Sequence, residues 1–165
     1  MAKQAVVKEY GLVTAESIGG KVFENYVAHG LRIICPSLKT QHREHHLIES
    51  HKLFKLKPDL YFEEQKIVAD TKWKLADDKE AKMGVTQADL YQLYTYGKKY
   101  EDASLAIIYP KSADFDKSHT EWAYYESGKL SIKLLCFELT SDKEQEKTNF
   151  ENLQKEIYGE PNRSP

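Results

Sequence analysis

The segment LKPDLYF at residues 56–62, followed by four polar residues and then by IVADTKW at residues 67–73, decides how this chain folds. Both segments have the length and apolar content of short strands, and the polar residues between them predict a tight turn. Strand residues two apart point to the same side, so Asp70 and Lys72 share one face of the second strand.

Asp59 in the first strand and Asp70 in the second are predicted to face each other. Symmetric pairing about a turn centred on Glu64 and Gln65 places the two acids directly opposite, with Cβ atoms about 5 Å apart. Such carboxylates raise each other's pKa values unless positive charge lies between them. A divalent cation with oxygen ligands relieves that repulsion. The hairpin is therefore predicted to form a site, and the alternative is a surface hairpin with an ordinary salt bridge.

Length and composition indicate a single domain without a global basic field. The chain has 165 residues, 30% of them charged, and a formal net charge of −2, so nucleic acid would have to bind a local basic patch. No apolar run approaches the roughly 20 residues of a membrane span, and residues 1–11 show no signal-peptide pattern. Cys35 and Cys136 lack CxxC spacing, which predicts reduced, buried thiols in a cytoplasmic protein.

The pattern along the chain divides it into three parts. We expect residues 1–20 to be an N-terminal extension of uncertain structure, residues 21–159 to form the domain, and residues 160–165 to be a frayed tail. A helix is predicted from Lys21 to about Ile34. It carries Glu24 beside its apolar face, where the helix alone favours a rim glutamate over an acid turned toward a site.

Two other polar clusters have plainer interpretations. The run QHREHH at residues 41–46 invites a zinc site, but no cysteine is near and the spacing matches no helical HExxH pair, so a polar connection is favoured, with some histidines near a phosphate. Residues 47–56 then supply a further strand leading into Asp59. A second Asp-x-Lys, at residues 77–79, follows no apolar strand and is interpreted as a solvated turn.

The segment after residue 84 predicts a strand–helix–strand unit. Thr86 and Asp89 have capping-box spacing at the start of a helix that runs to about Tyr100. One stripe of this helix is mainly apolar and a second is polar. Their members are Leu90, Leu93, Tyr94 and Gly97 in the first and Asp89, Gln92 and Tyr96 in the second. The apolar run at residues 105–109 predicts a strand covered on both faces and parallel to the strand before the helix.

The last third of the chain predicts a polar loop, a strand and a helix. The loop spans residues 111–121, and alternation from Leu130 to Phe137 predicts the strand. Ser141 and Asp142 can cap the final helix, whose apolar stripe consists of Phe150, Leu153 and Ile157.

Together these residues resemble the PD-(D/E)xK nuclease superfamily. Pro58-Asp59 and Asp70-Thr71-Lys72 match its signature, and Gln92 with Tyr96 looks like the Gln-x-x-x-Tyr motif of the RecB-like branch. Glu24 matches the acidic residue that this branch carries on its first helix, which favours the inward orientation. The resemblance implies an α/β fold with a mixed central sheet flanked by helices.

Longer stretches narrow the resemblance to the McrC nuclease family of McrBC restriction systems, which attack DNA bearing methylated cytosine. They are FENYV at 23–27, LKPDL at 56–60, DTKWK at 70–74 and ADLYQLYTYGKKY at 88–100. The similarity runs from about Val22 to Phe137. Members usually carry a sizeable N-terminal part that engages a GTP-driven McrB motor. About twenty residues precede Val22 here, so we expect an excised domain or a stand-alone relative.

The resemblance implies Mg²⁺-dependent hydrolysis of DNA phosphodiesters, with Mn²⁺ able to substitute. The implied metal ligands are Asp59, Asp70, the Thr71 carbonyl and Glu24. Lys72 would orient the attacking water, and Gln92 and Tyr96 would position Lys72 or the DNA backbone. Lys74, Lys98 and Lys99 are expected to contact phosphates.

The implied partners are DNA, a McrB-like AAA+ GTPase motor and a second copy on DNA, because a double-strand cut needs two active sites. No membrane partner is expected. Two alternatives stay open at this point: a non-catalytic DNA-binding or assembly module on the same fold, and a RecB-like exonuclease. The iron–sulfur exonucleases need four cysteines, and this chain has two.

Overall fold

The computed structural model describes residues 5–8, 11–123 and 131–159. The expected tail at 160–165 and Leu130 of the expected last strand lie outside these residues. The elements, in chain order, are β1 (Ala5–Lys8), β2 (Gly11–Thr14), α1 (Ala15–Ile34), β3 (Lys39–Thr40), β4 (His46–Ile48), β5 (Leu53–Lys55), β6 (Leu60–Phe62), β7 (Ile67–Thr71), α2 (Gln87–Lys99), β8 (Ser104–Pro110), β9 (His119–Ala123), β10 (Ser131–Phe137) and α3 (Lys143–Tyr158).

A six-stranded mixed sheet in the order β3-β6-β7-β8-β10-β9 organises the chain. Strands β6 and β7 form the predicted antiparallel hairpin. Strands β7 and β8 are parallel across α2, as the strand–helix–strand pattern predicts, and β10 is parallel to β8. The mixed α/β architecture with flanking helices is therefore confirmed.

Alternation along the central strands separates two cores, one on each face of the sheet. On β7, Ile67 and Ala69 pack into the core that α1 and α3 cover. Val68 between them packs into the core that contains Leu93 and Tyr96 of α2. Because Asp70 has the same parity as Val68, the end of β7 directs this acid to the α2 face.

Several local predictions are confirmed. Thr86 and Asp89 form the reciprocal capping box, and α2 ends at Lys99 with Tyr100 as its C-cap. Asp142 caps α3, whose buried residues are Phe150, Leu153 and Ile157. The thiols of Cys35 and Cys136 are free, although only Cys35 is fully buried.

The first helix begins at Ala15 and includes Gly19 and Gly20, so the predicted start at Lys21 is wrong by six residues. Glycine costs helix stability but does not forbid the conformation. Its small size is used here, because a Cβ on Gly19 would run into the indole of Trp73. Part of the expected extension is therefore helical, and β1 and β2 before it form an antiparallel pair.

The expected single strand over residues 47–56 is also wrong. That segment is a separate two-stranded hairpin of β4 and β5, with a 3-10 turn at Glu49–His51. Lys52 and Phe54 have φ values of 53° and 55°, in the left-handed region that breaks an extended run.

Two further sequence predictions differ from the structure. Strand β9 occupies the end of the expected loop at 111–121, where it gains backbone pairing with β10 at the sheet edge. Tyr94, assigned to the apolar stripe of α2, is 46% exposed, whereas Tyr96 is 4% exposed. Among the described residues, no helix combines the length and apolar character needed to cross a membrane.

Replacement of Gly30 by alanine tests the contact between α1 and α3. A Cβ at Gly30 would overlap the buried ring of Phe150, whereas a Cβ at Gly20 meets its nearest atom at 3.9 Å. We expect Gly30→Ala to destabilise the fold by about 1–3 kcal/mol through overpacking. Gly20→Ala, the matched control, should stabilise it by up to about 1 kcal/mol. Urea denaturation of both variants measures the difference, and equal stabilisation by the two would contradict the packing.

Candidate active site

The pairing of β6 with β7 brings two acids together. Leu60 lies opposite Ala69, and extending this register by one residue places Asp59 beside Asp70, as the turn prediction requires. Asp59 Oδ2 accepts hydrogen bonds of 2.8 Å from both the backbone N–H and the hydroxyl of Thr71. The Asp59 carboxylate is thus fixed against the end of β7.

Asp70 is a buried acid whose protonation depends on its neighbours. Asp70 is only 4% exposed to solvent. Burial, followed by the negative charge of Asp59, raises the pKa of Asp70 to about 7, although Lys72 opposes the shift. Lys72 Nζ lies 2.9 Å from Asp70 Oδ2. Without a further positive charge, the site therefore favours a proton on this pair of acids.

Lys72 lies at the centre of a polar network that α2 completes. Its ammonium is 3.2 Å from Asp89 Oδ1 and 3.4 Å from Gln92 Oε1. Burial alone would lower its pKa, but the charges of Asp70 and Asp89 raise the pKa of Lys72 above its ordinary value. The lysine consequently stays cationic and is held by groups from both β7 and α2.

The polar stripe of α2 extends this network to Tyr96. Gln92 Nε2 donates a hydrogen bond of 2.9 Å to the Tyr96 hydroxyl. Burial and the charge of Asp70 raise the pKa of Tyr96, so its hydroxyl stays protonated. Gln92 and Tyr96 thus lie where they can position Lys72, and they do not touch the two acids through any hydrogen bond described here.

Asp89 joins this network, although the sequence interpretation placed it on the polar stripe and favoured a capping role for it. It does cap α2, but its carboxylate also binds Lys74 at 2.8 Å and Lys72. Although burial opposes the shift, hydrogen bonds from Lys74 and Thr86 lower the pKa of Asp89. The signal was its position one turn before Gln92 on the same helical stripe.

Among the described residues, Gln41 links Glu24 to Asp59. Gln41 Nε2 donates to Glu24 Oε1 and, at 3.1 Å, to Asp59 Oδ1. Glu24 also pairs with Lys21 at 3.0 Å. Helix α1 packs on the sheet face opposite α2, which explains this separation. Gln41 was missed because nothing in its polar surroundings marks it, and its position depends on a left-handed φ of 50°.

The donor set fits a hard divalent cation in part. Within the described part of the chain, no three His, Cys, Asp or Glu side chains are grouped to hold a metal, so neither the expected Glu24-containing set nor a histidine zinc site is assembled. Asp59 and Asp70 remain as adjacent oxygen donors. Mg²⁺ is usually bound by one or two carboxylates together with waters and substrate phosphates, and that requirement matches this pair.

The lysines expected to contact phosphates are each engaged by a carboxylate. Lys74 binds Asp89, Lys98 lies 2.9 Å from Asp102, and Lys99 lies 3.9 Å from Glu49. Their role toward DNA stays a prediction. In the second Asp-x-Lys, Asp77 Oδ1 accepts from the Lys79 N–H at 2.9 Å, which is a local turn.

Fold and site together define a mixed α/β protein with a paired-carboxylate centre at the ends of two antiparallel strands. A family model described as "McrBC 5-methylcytosine restriction system component" matches residues 16–110. The chain belongs to this family. No curated protein matches its sequence.

A solved structure supports the same fold. The chain resembles a chain of the half-complex from the tetradecameric assembly of Thermococcus gammatolerans McrB AAA+ hexamers with bound McrC, with a TM-score of 0.64 and 16% identity. The alignment covers 88% of the present chain and 34% of the other. The present chain therefore spans about a third of that relative.

The raised pKa of Asp70 predicts how stability depends on pH in the absence of metal. An acid with a higher pKa in the folded state loses stabilisation as pH rises from its unfolded pKa toward its folded one. In EDTA we expect the stability of Asp70→Asn relative to the wild type to increase as pH rises from about 4 to about 8. Each kcal/mol of added stability should raise its Tm by roughly 2–4 °C.

Differential scanning fluorimetry across that pH range measures the effect, with Asp77→Asn as the control. Addition of Mg²⁺ should raise the Tm of the wild type at neutral pH and leave Asp70→Asn unchanged. A wild-type protein that is more stable than Asp70→Asn at neutral pH in EDTA would show that the two acids do not repel.

Proposed function

We propose that this chain is a metal-dependent endodeoxyribonuclease domain of the PD-(D/E)xK type that acts in a McrBC-type restriction system. The observation that carries the proposal is the arrangement of Asp59, Asp70 and Lys72 in a chain of this family. The two adjacent carboxylates can bind a cation. The Lys72 ammonium, 2.9 Å from Asp70 Oδ2, can stabilise negative charge beside them.

Asp59 and Asp70 would hold Mg²⁺ or Mn²⁺, with the Thr71 carbonyl as a further donor and Glu24 connected through Gln41. The bound cation supplies Lewis-acid chemistry, which activates water and neutralises phosphate charge. Thr71 supports this role by fixing Asp59 with its N–H and hydroxyl.

Lys72 would hold the attacking water and stabilise the negative charge that develops on the phosphate. Its position is set by Asp70 and Asp89 on two sides and by Gln92 on a third. Tyr96 keeps the Gln92 amide oriented. Since these groups are already arranged, little reorganisation is needed when the phosphate arrives.

We further propose that a McrB-like AAA+ GTPase motor brings this domain to its substrate. The similar solved assembly consists of McrB AAA+ hexamers with bound McrC. Recognition of methylated cytosine would belong to that motor, and two copies of this domain on DNA would cut both strands. Free thiols in Cys35 and Cys136 support a reducing, cytoplasmic setting.

Plasmid cleavage by site variants tests the proposed chemistry. We expect the wild type to cut methylated circular DNA when Mg²⁺ or Mn²⁺, GTP and a McrB-like partner protein from the same organism are present. Asp70→Asn should abolish cutting, and Lys72→Ala should slow it by about 100-fold or more. Lys79→Ala, from the second Asp-x-Lys, should cut like the wild type.

Circular and linear substrates, each with and without methylation, are assayed by gel. Cutting only of linear DNA would indicate an exonuclease. DNA or partner binding without turnover under all these conditions would indicate a non-catalytic module and would overturn the proposal, as would undiminished cutting by purified Asp70→Asn protein.

A further inference from the structure

A groove of about 560 Å³ lies between the β4–β5 hairpin and helix α2. Gln92 and Tyr96 of the candidate site line one part of it, and Phe54, Lys55 and Lys57 line another. Its volume falls within the roughly 300–1,000 Å³ of sites that hold organic ligands. Because Gln92 also contacts Lys72, the groove opens from the place where the scissile phosphate would bind.

The charge of the groove suits a polyanion. Its described lining includes Lys55 and Lys57 and no acidic residue. Neither lysine forms a salt bridge with any part of the chain that the structure describes. This distinguishes them from Lys98 and Lys99 on the adjoining helix, which lie next to Asp102 and Glu49. Phosphate binding at Lys55 and Lys57 therefore breaks no existing ion pair.

Two aromatic rings of the groove are exposed to solvent. Phe54 is 69% exposed and Tyr91 is 64% exposed. Aromatic rings beside unpaired lysines form the combination on which single-stranded nucleic acid binds, with bases stacked on rings and phosphates near ammonium groups. An apolar peptide would leave the lysines unused.

The backbone at Phe54 adds a second observation. Its φ of 55° lies in the left-handed region, where a bulky side chain is rare and costs about 1–2 kcal/mol. Glycine or asparagine would adopt this conformation at lower cost. The hairpin therefore keeps an exposed phenyl ring at a position that stability alone would not favour.

We propose that this groove binds a single-stranded stretch of the DNA strand next to the scissile phosphate. Lys55 and Lys57 contact the backbone phosphates, and an unstacked base lies against Phe54 or Tyr91. The inference rests on the proposed nuclease function and specifies its substrate: DNA that is locally opened beside the cut. A closed duplex keeps its bases stacked and cannot present one to these rings.

Binding of a fluorescent oligo-dT of about 12 nucleotides by the full chain tests the groove, measured by anisotropy in EDTA so that no cutting occurs. The variant Phe54→Ala/Tyr91→Ala should weaken binding by roughly tenfold or more without changing its salt dependence. The variant Lys55→Ala/Lys57→Ala should weaken it and reduce the slope of log K against log salt by about 0.7 per lost phosphate contact.

Matched controls separate the groove from general charge and hydrophobicity. Lys143→Ala/Lys147→Ala removes the same charge from α3, where both lysine side chains are exposed, and Ile33→Ala removes an apolar side chain that is 70% exposed on α1. Both should bind oligo-dT like the wild type. Phe54→Gly should bind weakly while its Tm equals or exceeds the wild-type value, because the strain at this position is relieved.

The outcomes distinguish the groove from the catalytic proposal. Wild-type affinity in Phe54→Ala/Tyr91→Ala, equal loss from the two lysine pairs, or tighter binding of duplex than of oligo-dT would overturn the groove assignment while plasmid cutting stands. Groove-dependent binding of oligo-dT by a chain that never cuts would support the groove and overturn the nuclease function.

Discussion

The contacts around Asp59 and Asp70 offset part of the repulsion between these two carboxylates. The β6–β7 register forces the two acids together, and Asp70 is almost fully buried. Thr71 donates two hydrogen bonds to Asp59, and Lys72 places its ammonium beside Asp70. These contacts offset part of the repulsion, and the remainder is an energy that a bound cation can recover.

The two faces of the sheet are covered by different helices, and α2 brings polar side chains to Lys72. Helices α1 and α3 pack against one face mainly through apolar side chains, whereas α2 adds a polar stripe to its apolar one. That stripe brings Asp89 and Gln92 to Lys72. The hairpin of β4 and β5 borders α2 across a groove that both elements line. Helices α1 and α3 thus cover one core, whereas α2 covers the other core and also supplies polar side chains around Lys72.

Short-range patterns predicted the parts of the structure that depend on local geometry. Pairing about a tight turn predicted the opposition of Asp59 and Asp70, and capping-box spacing predicted the start of α2. Long-range contacts could not be derived in this way. Gln41 reaches Asp59 from another strand, and its left-handed backbone has no marker in the sequence. Capping-box spacing explains Asp89 by itself, and the sequence does not show that Lys72 and Lys74 also pair with its carboxylate.

Trp73 directly follows Lys72, and its indole lies against the backbone of α1 at Gly19 and within 5.4 Å of the Phe23 ring. Any side chain at position 19 would push this indole and, with it, the segment that holds the lysine. The range of residues tolerated at that helical position is consequently limited by this contact as well as by helix propensity. Natural variation at residue 19 should therefore follow the size of the residue at 73, because this contact links the first helix to the segment that follows β7.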